Sequence, residues 1–209
     1  MLDLGIEFGP IDVYLFDQLL RGRIASGMRV LDAGCGPGRN LVYLLRAGFE
    51  VFGADSDQDS IAALRDMAAR LAPAIPAANF RAEPVEGMSF PDAFADVVLS
   101  IATLHFARDD AHFEAMLRGT WRALRPGGLF FCRLATDIGM ESRMRPLGGG
   151  RFRLPDGSDR YLVSEARLLR LTRDLGGGLI DPIKTTLVQD QRCMTTWVVR
   201  RDGGPTGPR

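Results

Sequence analysis

Short apolar runs alternate along this chain with segments whose apolar residues recur at helical spacing. Met28 to Asp32 predicts a strand; Arg39 to Ala47 then places Leu41, Leu44 and Leu45 on one helical face and stops at Gly48. Glu50 to Ala54 repeats the strand, and Ser56 or Asp57 caps a helix with the stripe Ile61, Leu64, Ala68 and Leu71, ending before Pro73. Asn79 to Ala82 is a weaker strand and Asp96 to Ala102 a stronger one. Asp109 to Leu124 is a helix with Phe113, Met116, Leu117, Thr120 and Leu124 on one face, and Pro126-Gly127-Gly128 turns the chain into Leu129 to Leu134. Upstream, Pro10 to Arg21 is expected as a helix with proline in its first turn.

Parallel strands need crossovers, and here the crossovers are amphipathic helices, so the pattern predicts an α/β fold: a parallel sheet covered on both faces. The rhythm breaks after Leu134. Residues 136–163 are rich in Gly, Arg and Pro, Ser164 to Leu175 is a capped helix, and Ile183 to Val188 with Met194 to Arg200 are close enough to pair as an antiparallel hairpin. One domain over 1–200 is expected, with 1–27 as a helical cap, 136–163 as an insertion overhanging the cleft, and 201–209 as a low-complexity, disordered tail. No internal repeat is visible.

Composition narrows the classes. In 209 residues Lys+Arg equals Asp+Glu, so the formal net charge is zero and nothing favours binding to a nucleic-acid backbone. Three cysteines (Cys35, Cys132, Cys193) without ligand-type spacing argue against a disulfide framework or a metal site. The start MLDLGIEFGP lacks a basic segment followed by an apolar core, and no window is apolar enough to span a bilayer; a soluble cytoplasmic protein is expected.

The chemistry concentrates in Val30-Leu31-Asp32-Ala33-Gly34-Cys35-Gly36-Pro37-Gly38-Arg39-Asn40. Glycines after the first strand of such a sheet let a ligand approach the backbone. Asp55 ends the next strand, about twenty residues after the first glycine, where a carboxylate accepts from both hydroxyls of a ribose. The spacing is Gly-x-Gly-x-Gly, whereas a dinucleotide fingerprint requires glycine where Arg39 stands, and Asp32 would repel a pyrophosphate while receiving an ammonium group.

With these residues the chain resembles the class I S-adenosylmethionine-dependent methyltransferases, of type 11/12-like kind. VLDAGCGPGRN resembles their motif I and Asp55 their ribose-binding acid. Ser89-Phe90-Pro91-Asp92 with Asp96-Val97-Val98-Leu99-Ser100 looks like their fourth-strand region, and Leu124-Arg125-Pro126-Gly127-Gly128 like the turn before their fifth strand. The stretch Gly38-Arg39-Asn40 with its following helix is also similar to the small tellurite-resistance and thiopurine-type methyltransferases. The resemblance implies a three-layer sandwich around a seven-stranded, mostly parallel Rossmann-like sheet in order 3-2-1-4-5-7-6. It implies S-adenosylmethionine as cofactor and S-adenosylhomocysteine as product, held by Asp32, Gly34, Cys35, Gly36, Gly38, Asn40, Asp55, Ser56, Val85 and Ser100. Where the family often has an aspartate facing the adenine amino group this chain has Pro84, with Glu83 next door as a substitute.

Sulfonium methyl transfer needs no enzyme nucleophile, only a base where the acceptor must lose a proton. His105, just past the fourth strand, is the expected catalytic base, with packing against the cofactor pocket as the alternative. His112 on the next helix is expected to be solvated or capping, and Cys35 only accommodated. Tyr14 and Arg39 are expected to touch the substrate. Between Gly139 and Arg173 eight arginines face four acids, an excess suited to an anionic acceptor or RNA, or to a solvated helix face. The expected partner is a small-molecule acceptor, without membrane, and with oligomeric state open. RNA methylation, nicotinamide-dependent oxidoreduction and cofactor binding without turnover remain as alternatives.

Overall fold

A computed structural model describes residues 3–203. The strands are β1 (Arg29–Ala33), β2 (Glu50–Asp55), β3 (Phe80–Ala82), β4 (Ala95–Ile101), β5 (Leu124–Ala135), β6 (Arg145–Gly148), β7 (Arg151–Arg153), β8 (Asp159–Tyr161), β9 (Gly177–Leu179), β10 (Lys184–Val188) and β11 (Arg192–Arg201). The α-helices are α1 (Leu4–Phe8), α2 (Val13–Leu20), α3 (Val42–Arg46), α4 (Gln58–Leu71), α5 (Asp110–Ala123) and α6 (Glu165–Asp174).

The main sheet runs β10-β11-β5-β4-β1-β2-β3, with β11 antiparallel to β5 and β10, and β9 also pairing with β11. This is the strand order that the resemblance implies, with the short β9 added. Alternate strand residues feed two cores. Leu31, Val98, Phe130 and Trp197 pack under α5 and α6, while Val30, Val97, Phe131 and Val198 pack against α2, α3 and α4. The layers are therefore helix, sheet, helix. Among the described residues no helix is long and apolar enough to cross a membrane.

Side-chain caps set where the helices begin. Asp57 caps α4, Asp109 caps α5 and Ser164 caps α6. The expectation of a helix from Pro10 is corrected: Asp12 is the N-cap, accepting from the Tyr14 and Leu15 amides, so the helix starts at Val13 and Pro10 lies in the approach to it. The expected helix from Arg39 likewise begins only at Val42, because the glycine turn continues through Leu41. Arg201, assigned to the tail from sequence, ends β11 and donates to the Trp121 carbonyl. Residues 204–209 of that expected tail lie outside the described residues.

Residues 136–163, expected to be irregular, contain a three-stranded antiparallel meander, β6-β7-β8. It is fastened to α5: Tyr161 is fully buried, stacks on Phe113 with ring centroids 4.8 Å apart, and donates to Asp110, which Arg167 also holds.

Helix α5 packs unusually close to the turn at Val85–Gly87 because Gly119 has no side chain there. A Cβ at Gly119 would collide with the Val85 carbonyl and come within 3.0 Å of the Glu86 Cα. On an open helix glycine to alanine stabilises by roughly 1 kcal/mol. At this contact Gly119→Ala is expected to destabilise instead, by about 2 kcal/mol, lowering Tm by roughly 5 °C for a chain of this size. Thermal unfolding followed by circular dichroism measures the sign.

Candidate functional site

The carboxyl ends of β1, β2, β4 and β5 meet at one edge of the sheet, where the chain proceeds from β1 to β2 on one side and β4 lies on the other. Such a switch point opens a crevice. The glycine turn is fastened to β2: the Gly34 and Cys35 amides donate to the Ala54 carbonyl at 2.8 and 3.1 Å, and the Gly36 amide donates to Asp55 Oδ2 at 2.8 Å. Gly34 and Gly38, both at positive φ, let the turn press inward; Cβ atoms there would strike Thr103, and Leu64 with Met67. Gly36, at φ 50°, is different. A Cβ there would meet nothing within 4 Å, so the turn leaves open space at Gly36.

Behind this turn lies Asp32, only 1% exposed, with neither carboxylate oxygen hydrogen-bonded. Burial pushes its carboxyl up to about 7; the Arg39 charge opposes the rise and the Asp55 charge adds to it. A buried carboxyl without a donor is costly in the unliganded chain and marks a place prepared for a cationic or donor group.

The crevice holds two adjoining cavities. The first, about 470 Å³, is lined by Gly34, Asp55 and Ser56, by Pro84, Val85 and Glu86, and by Thr103, Arg108, His112 and Met116. The second, about 350 Å³, is lined by His105, Arg133 and Ala135, by Leu154, Asp156, Ser158 and Arg160 of the insertion, and by Val188, Arg192 and Met194. Ala102 and Phe106 line both. Ala102 has φ 60°, a conformation costing a non-glycine residue on the order of 1 kcal/mol, and its amide donates to the Arg133 carbonyl at 2.8 Å.

Of the residues expected at a cofactor, Gly34, Asp55, Ser56 and Val85 line the first cavity, with Asp32 and Gly36 behind and beside it. Four others do not line it. Cys35 is buried against Gly53, Gly38 against Leu64, and Ser100 is fully buried within β4. Asn40 accepts from the Asp12 amide at 3.0 Å, pinning the cap of α2. Glu83 accepts from the amide and hydroxyl of Ser89 at 2.7 and 2.6 Å, so it is not the polar group beside Pro84; Glu86 is, and His112 donates to it across 3.1 Å while accepting from the Arg108 amide. His112 is therefore part of the cavity wall rather than solvated.

Neither residue expected to touch the substrate lines the second cavity. Tyr14 supports the second cavity from outside, its ring 4.8 Å from the Arg133 guanidinium and its hydroxyl 2.7 Å from that of Thr186. Arg39 is exposed and donates to the Pro10 carbonyl at 3.2 Å. His105 faces the second cavity. Its Nδ1 accepts from the buried Ala135 amide at 3.1 Å, so the proton is on Nε2. Burial, aided by the Arg160 charge, lowers its pKa to about 3. At neutral pH the ring has no nitrogen free to take a proton; it has one N–H to give.

Residues 30–128 match a family described as a methyltransferase domain. A ubiquinone biosynthesis O-methyltransferase of Chelativorans sp. (strain BNC1) is 28% identical over 172 residues, which cover 76% of this chain and 64% of that protein. The chain spans 64%, 45% and 41% of the first three curated relatives it matches. Among solved structures, a SAM-dependent methyltransferase from Methanosarcina mazei aligns with a TM-score of 0.70 at 19% identity, covering 89% of this chain and 98% of that one. A Burkholderia thailandensis 1,6-didemethyltoxoflavin-N1-methyltransferase, solved with 1,6-didemethyltoxoflavin and S-adenosylhomocysteine, aligns with a TM-score of 0.67 at 20% identity, covering 88% and 75%. At these identities the structural likeness shows the fold.

Because the folded chain holds the Asp32 proton up to about pH 7 and the unfolded chain releases it near 4, the unliganded protein is expected to lose stability as pH rises through that window. Asp32→Asn removes the buried charge, so at pH 8 it is expected to raise Tm in differential scanning calorimetry. A mutant that melts below the wild type at pH 8 would mean that Asp32 is satisfied in the free protein.

Proposed function

We propose that this chain, whose residues 30–128 match a methyltransferase domain, is a class I S-adenosylmethionine-dependent methyltransferase that moves a methyl group from S-adenosylmethionine to a small-molecule acceptor and releases S-adenosylhomocysteine. The observation that carries this is the unpartnered, buried Asp32 carboxyl beside a glycine turn whose open space faces Asp55. An α-ammonium group and a ribose are the chemical complements of these two acids. When bound, the cofactor supplies a methyl carbon on a sulfonium, whose bond to sulfur breaks with its electron pair as the carbon joins the acceptor.

The chain's own residues then have separate tasks. Asp32 would hold the ammonium, and Asp55, fixed by the Gly36 and Asp57 amides, would present its remaining lone pairs to the ribose hydroxyls, with Ser56 beside it. Pro84 and Val85 offer an apolar wall for the base, and Glu86 supplies a polar edge in place of the family's aspartate. Ala102 and Phe106 stand where donor and acceptor meet. His105 donates its Nε2 proton to the acceptor and orients it, while excluding water from the β5 end. A second cavity of about 350 Å³ suits a small molecule, the size at which such pockets begin, and relatives named for ubiquinone and toxoflavin biosynthesis support that class.

Calorimetric titration with S-adenosylhomocysteine, with NADH as control, tests the cofactor. Binding of the first alone is expected, strengthening as pH rises through about 7 as Asp32 ionises; binding of NADH alone would overturn the proposal. Asp55→Ala is expected to weaken S-adenosylhomocysteine by about 2 kcal/mol. At saturating cofactor, kcat is expected to show no inflection between pH 5.5 and 7.5 from His105. A limb in that range, abolished by His105→Gln, would restore the histidine as a base.

A further inference from the structure

The second cavity is lined by three arginines and one aspartate, with His105 neutral between them. The carboxylates around the arginines are unequally shared. Arg133 is ion-paired with the buried Asp12. Asp156 accepts from the Ser158 amide and hydroxyl at 2.9 and 2.6 Å and lies 3.6 Å from Arg192. Asp159 is taken by Arg153. Arg160 is left over: its guanidinium donates only to the Asp159 carbonyl, at 2.8 Å, and is stacked 4.8 Å above the Phe106 ring, with no ion pair among the described residues. A half-buried guanidinium in that state retains most of its five donors.

Its position is built rather than incidental. On β8 the side chains alternate, so the burial of Tyr161 under Phe113 directs its neighbour Arg160 to the opposite face. Gly150 makes that burial possible, because a Cβ there would collide with the Tyr161 ring. Phe106 is 58% exposed although it borders both cavities, an aromatic face offered to a ligand. Leu154, Val188 and Met194 supply apolar surface to the same cavity.

We infer that the acceptor is an organic acid: its anionic group binds Arg160, with Arg192 near, and its apolar body lies against Leu154, Met194 and Phe106. This rests on the methyl-transfer reading above, and it names the substrate class for that site. A pocket rich in donors selects a ligand that brings acceptors, and the Nε2 proton of His105 adds one more donor. A cationic acceptor would have to displace these charges, and a neutral one would leave Arg160 partly desolvated without compensation.

The test uses the full chain saturated with S-adenosylhomocysteine, and matched probes: 4-hydroxycinnamate with its methyl ester and amide, and octanoate with octanamide. Calorimetry or ligand-observed NMR is expected to show each acid that binds doing so at least tenfold tighter than its neutral partner. Arg160→Ala should abolish that preference without changing the affinity for S-adenosylhomocysteine or the neutral probes, and Arg160→Lys should recover part of it. Equal binding of acids and neutral partners, acid affinity that survives Arg160→Ala, or no acid binding at millimolar concentration would each overturn the inference. Failure of S-adenosylhomocysteine to bind would instead strike the cofactor assignment, and Arg160-dependent acid binding in its absence would still uphold the cavity.

Discussion

A carboxyl buried without a hydrogen-bond donor is a poor thing to place near the end of the central strand of a sheet, yet Asp32, the residue before the last of β1, is in that state. Val30, Leu31 and Ala33 around it are fully buried, and β2 and β4 close it in on either side. Apolar packing thus fixes a group that the packing itself penalises, raising its pKa to about 7. The glycine turn folds back on Ala54, its third position is tied to Asp55, and the space at Gly36 stays open. A site that gives up stability when empty and recovers it on binding is the usual trade between folding and function.

The second cavity depends on a different kind of contact. Arg133 at the end of β5 is held by Asp12, whose amide is held by Asn40 of the glycine turn, and Tyr14 covers the guanidinium from α2. One buried ion pair therefore joins the N-terminal helix, the turn and the second cavity. Breaking it would leave Asp12, only 4% exposed, unpaired. The strained Ala102 and the exposed Phe106 lie between the two cavities, where neither packing nor helix propensity explains them.

Much of the sheet was legible because its central strands are short apolar runs, and two faces with separate cores require such runs. The ends of helices were less so. Pro10 looks like a helix start, but an Asp12 side chain with two amides to accept decides it two residues later. Motif positions were read as if all faced the ligand. In the folded turn some of these positions face inward: Cys35 and Gly38 pack into the α4 side and Asn40 reaches back to Asp12. The tautomer of His105 was not legible, because it is set by the Ala135 amide, 30 residues away in sequence. The arginines of the second cavity were visible only as a local arginine excess. Arg133, Arg160 and Arg192 come from β5, β8 and β11, and only the tertiary fold brings them together.

A crystal structure of the protein with S-adenosylhomocysteine tests the central claim most directly. The account predicts the ligand's ammonium within hydrogen-bonding distance of an Asp32 oxygen, directly or through one ordered water, and both ribose hydroxyls on Asp55. A ligand whose ammonium lies elsewhere, with Asp32 still unpartnered, would contradict it.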